Sequence, residues 1–131
     1  MKTVQVRPET KQKIKRFAIE LGTTQSDVVD RAINLLERVI TLENDKEFDK
    51  ISWYVIKLSM SVGHFKEVPD QLNFNQLKYT SNQIKERLGV DTSKLVELAK
   101  EYMANPTKEN KIALNEALKE IVKKLILLLF R

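Results

Sequence analysis

Lys2, Arg7, Lys11, Lys13, Lys15 and Arg16 stand within the first sixteen residues against a single acid, Glu9. Cations at that density attract and hydrogen-bond an anion. Among them, Lys2-Thr3-Val4-Gln5-Val6-Arg7 alternates polar and apolar residues. In an extended backbone Thr3, Gln5 and Arg7 would share one face, and Val4 and Val6 the other. The rest of the chain offers little chemistry. Cysteine is absent, which removes disulfides, thiolate nucleophiles and thiolate metal sites and favours a reducing compartment. His64 is the one histidine and lacks the companion ligands that a transition metal recruits, so no metal is expected. Asp45, Glu47 and Asp49 read as a solvated acidic turn. No glycine-rich phosphate loop occurs, and no nucleophile has a base at recognisable spacing. Neither an enzyme nor a cofactor is expected.

The elements that position these residues are mainly helical. Pro8-Glu9 can open a helix, Ile14, Phe17, Ala18 and Leu21 repeat at helical spacing, and Gly22 can end it in the left-handed conformation. Thr23 or Thr24, with Asp27 beyond, can cap a second helix carrying Val28, Val29, Ala32, Ile33, Leu36, Val39 and Ile40. That apolar stripe is too wide for one partner helix to cover. Four further helices are expected. The first spans about 46–62, with apolar residues on two faces, Trp53, Ile56 and Met60 forming the second. A loop holding Gly63 and Pro69 follows, then a helix near 74–88 stopped by Gly89. Asp91, Thr92 or Ser93 can cap the next, and Thr107 the last, which runs to the end of the chain. Two domains result, residues 1–42 and a helical module over residues 45–131.

Nothing after Arg7 reads as a second strand. A lone strand leaves two rows of backbone donors and acceptors open. The economical partner is the same strand of a second copy. Val4 and Val6 would then rest on the helices of both subunits, and the surplus apolar side of the second helix would be buried in the same intertwined homodimer.

The order "TVQVRPET", a helix ending at Leu21-Gly22, then "TTQSDVVDRAINLLERV" resembles the ribbon-helix-helix family of DNA-binding proteins over residues 2–40. The resemblance implies a paired β-ribbon entering the major groove of double-stranded DNA. By position it makes Thr3, Gln5 and Arg7 the base contacts, Gln suiting adenine and Arg guanine. It assigns phosphate contacts to Thr23, Thr24, Gln25 and Ser26 at the start of the second helix, and Lys2 and Lys13 are expected to contact phosphate as well. Val4, Val6, Ile14, Phe17, Val29, Ile33 and Leu36 would form the dimer core.

The expected function is therefore that of a dimeric, sequence-specific DNA-binding protein, a transcriptional regulator able to assemble further on DNA. An alternative is a plasmid partition or conjugation accessory protein whose C-terminal helices bind a protein partner. A second is a helical interaction scaffold without DNA function. The first residues lack the apolar core of a secretory signal, and the apolar run Leu125–Phe130 is far short of the ~20 residues that span a bilayer, so a cytoplasmic protein without membrane partners is expected.

Overall fold

A computed structural model of the chain describes residues 5–41 and 44–131. All regular structure among them is helical: α1 Pro8–Leu21, α2 Gln25–Thr41, α3 Lys46–Glu67, α4 Gln71–Leu88, α5 Ser93–Ala104 and α6 Lys108–Leu128. They form two compact units, divided between Asn44 and Asp45.

The expected ribbon-helix-helix architecture is corrected by this all-helical chain. Gln5, Val6 and Arg7 belong to no strand, no sheet exists among the described residues, and Lys2, Thr3 and Val4 lie outside them. The reason is physical. Strand alternation in one short segment needs a second backbone to pair with, and the other apolar segments among the described residues are helical. Arg7 is extended, at φ −59° and ψ 147°, because Pro8 disfavours helical geometry in the residue before it. Pro8 itself then opens α1.

In the first unit α1 and α2 form a hairpin whose connection is built by local chemistry. Gly22 adopts φ +64°, its N–H donates to the carbonyl of Ile19, and the Thr23 N–H donates to that of Ala18 at 2.9 Å. This paired arrangement satisfies two orphan carbonyls of α1 while reversing the chain.

The second unit is a four-helix bundle in which α3 packs on α4, α4 on α5, α5 on α6 and α6 back on α3. Its core holds Ile51, Tyr54, Leu58, Val62 and Phe65 of α3, Phe74, Leu77 and Ile84 of α4, Leu95 and Ala99 of α5, and Leu114, Ile121 and Leu125 of α6. Helix starts are capped by side chains: Asp45 accepts from the Phe48 N–H, Asp70 from the Asn73 N–H and Thr107 from the Asn110 N–H. Ahead of α5, Asp91 accepts from the Ser93 N–H, and hydrogen bonding from Ser93 holds its carboxyl below the usual carboxylate range. The buried Thr92 hydroxyl donates to the Ser81 carbonyl at 2.8 Å, tying this turn to α4.

Helix α3 runs five residues beyond its expected end. Gly63 lies inside it at a cost of about 1 kcal/mol relative to Ala. Val62 and Phe65, both fully buried, more than offset that cost. The expected loop shrinks to Val68–Asp70. The second apolar face of α3 is not covered within this chain either, since Trp53, Ile56 and Met60 are exposed.

One polar group in the core stands unpaired. The Ser81 hydroxyl is fully buried with no hydrogen-bond partner among the described residues. Ser81→Ala removes a desolvated group and improves helix propensity, and it should stabilise the bundle by about 1 kcal/mol. Urea unfolding measures this. A loss of stability would show that the hydroxyl is satisfied in solution.

Candidate nucleic-acid interface

Helix α1 sorts its residues by 100° steps around its axis. Ala18 is buried against α2, with Ile14 and Leu21 half-buried beside it. Lys13 and Arg16 fall on the opposite arc, Lys15 lies at its edge, and Lys11, seven residues before Ala18, projects from the first turn on the side of Ala18; all four are exposed. Arg7 and Gln5, on the non-helical lead into α1, are also exposed, while Val6 is half-buried. The Arg16 guanidinium lies 5.2 Å from the centroid of the Phe17 ring, close enough for a cation–π contact. Five cations thus stand in water within the ten residues from Arg7 to Arg16, opposed by Glu9 alone.

At the start of α2 the hydroxyls expected to meet phosphate already have partners. Thr24 Oγ1 accepts from the Asp27 N–H at 3.0 Å as the helix cap, and the Thr23 hydroxyl donates to Asp27 Oδ2 at 2.6 Å. The same carboxylate oxygen pairs with Arg31 Nε at 2.7 Å. Asp27 therefore sets a carboxylate at the positive end of α2, where it stabilises the helix, and Arg31 offsets its charge. Gln25 and Ser26 are exposed in the same turn.

The apolar arc of α2 is only half used. Val28 is buried and Leu35 half-buried on the side that meets α1. On the other side Val29, Ile33, Leu36 and Ile40 are exposed at 42%, 58%, 54% and 74%. Four such side chains in water would cost several kcal/mol if nothing covered them. Their intervals are four, three and four residues, the spacing of a seam that packs against another helix. Of the expected dimer core, Phe17, Val29, Ile33 and Leu36 are exposed and Ile14 is half-buried, whereas Val4 lies outside the described residues. Ile40, not among the residues of the expected dimer core, shares this exposed series.

The described residues hold no grouping of three or more His, Cys, Asp or Glu side chains able to bind a metal, and His64 is exposed on α3. No helix among them is long and apolar enough to cross a membrane. No family model matches the chain, and no curated protein or solved structure matches it.

Proposed function

We propose that the chain binds double-stranded DNA as a homodimer and acts in the cytoplasm as a regulator of transcription. The observation that carries this reading is the division of labour in the α1–α2 hairpin: five exposed cations between Arg7 and Arg16, and a bare seam on the neighbouring helix. The seam brings two copies together, and pairing doubles the positive charge presented to an anionic polymer. In this proposal the exposed Gln5 and Arg7 reach base edges, and Lys13 meets phosphate with Lys11, Lys15 and Arg16 contributing to the field. Gln25 and Ser26 are the residues at the α2 start with free side chains for backbone contacts.

Random-site selection with duplex DNA, followed by footprinting, tests the reading. Failure to enrich any sequence would dismiss it. On a selected site, Lys13→Ala should weaken all sequences alike and lower the salt slope by about 0.9 per lost phosphate contact, twice that in a dimer. Gln5→Ala should instead narrow the gap between the selected site and random duplex. Fluorescence anisotropy across a salt series measures both. Equal loss on the two duplexes would remove Gln5 as a base reader.

A further inference from the structure

Two of the grooves along α6 differ in their chemistry. The groove toward α5 contains Asp91, Glu116 and Glu120 together with Lys94 and Lys124, so its charges offset one another. The groove toward α3 is lined by Ser59 of α3 and by Leu118, Lys119, Val122, Lys123, Ile126 and Leu127 of α6, with no acid among them. Neither Lys119 nor Lys123 forms an ion pair among the described residues. Leu118, Val122 and Ile126 follow at four-residue intervals. They make an apolar strip about 12 Å long, two helical turns, beside the small Ser59 side chain.

We infer that the α3–α6 groove is the docking site for an amphipathic helix of a partner protein, one whose apolar stripe is flanked by acidic residues. An apolar strip takes the stripe of a guest helix, and two lysines without ion pairs beside it favour acidic flanks. The partial burial of the strip favours a helix over a bilayer. Leu118 and Val122 are only half-exposed on the groove floor, where a guest side chain reaches them and a flat membrane surface does not.

The probe is a fluorescein-labelled synthetic helix of about 18 residues, with leucine at three- and four-residue intervals and glutamate on the flanks, titrated against the full chain. A lysine-flanked version and vesicles of phosphatidylglycerol with phosphatidylcholine accompany it. Binding of the glutamate peptide is expected, weakened about tenfold or more by K119E/K123E, with affinity shifting to the lysine-flanked peptide. Ile126→Glu should abolish binding of both. All three positions are exposed, so circular dichroism should show folded variants. The inference is overturned if the glutamate peptide fails to bind at about 100 μM, or binds K119E/K123E equally well. It is overturned in favour of a membrane surface if the vesicles, rather than the peptide, lose binding in that variant. Dissociation of the homodimer by Ile126→Glu would overturn it in favour of a second copy.

Discussion

Leu36→Glu is expected to convert the proposed homodimer to monomers at micromolar concentration and to abolish tight DNA binding with it. Leu36 sits inside the exposed series Val29, Ile33, Leu36 and Ile40. In a two-fold pairing of α2 helices each substitution occurs twice. Each leucine lost forfeits about 1.5–3 kcal/mol of burial, and each carboxylate brought into the seam lacks a partner. The sum exceeds about 5 kcal/mol, a rise of roughly 10⁴ in the dimer Kd. Sedimentation velocity measures it directly. DNA affinity falls because a monomer presents half the charge. Leu36→Met, which keeps volume and apolarity, should leave the dimer intact. A Leu36→Glu protein that still sediments as a dimer would place the subunit interface elsewhere.

Phe65→Ala carries the largest expected effect on the bundle. Phe65 is fully buried, its ring centroid 6.1 Å from that of Phe74 on α4 and 5.8 Å from that of Tyr102 on α5, the latter pair edge to face. Truncation removes one ring from a three-helix contact and leaves a cavity, and it should cost about 3–5 kcal/mol. Domains of this size are stable by about 5–15 kcal/mol, so a large part of the total goes. The loss should appear in urea unfolding as a lower midpoint with little change in slope. A change under about 1 kcal/mol would mean that the neighbouring side chains refill the space.

The helices were legible in the residues because their signals are local. Gly22 and Gly89 both take up positive φ where the apolar periodicity stops, and Thr107 caps α6 through its own hydroxyl. Long-range facts were not legible. Alternation in Lys2–Arg7 looks like a strand whether or not a second backbone is near, and nothing within six residues states which. Gly63 looked like a terminator, yet the burial of Val62 and Phe65 carries α3 through it. Equally hidden was the partner of Tyr54, whose hydroxyl accepts from Arg87 Nη1 at 2.9 Å across 33 residues of sequence. Of the candidate interface, the basic character of α1 was plain from composition. That the Thr23 and Thr24 hydroxyls are committed to Asp27 depends on cap geometry, which residue types alone leave open among several partners.

In the bundle, three of the four helix pairings join elements adjacent in the chain, and only the pairing of α3 with α6 spans its length. The entropy of loop closure is therefore met in short steps, each hairpin forming with little search before the last helix returns to the first. Topology of this kind sets refolding on a microsecond-to-millisecond scale, with the α3–α6 seam the last to close.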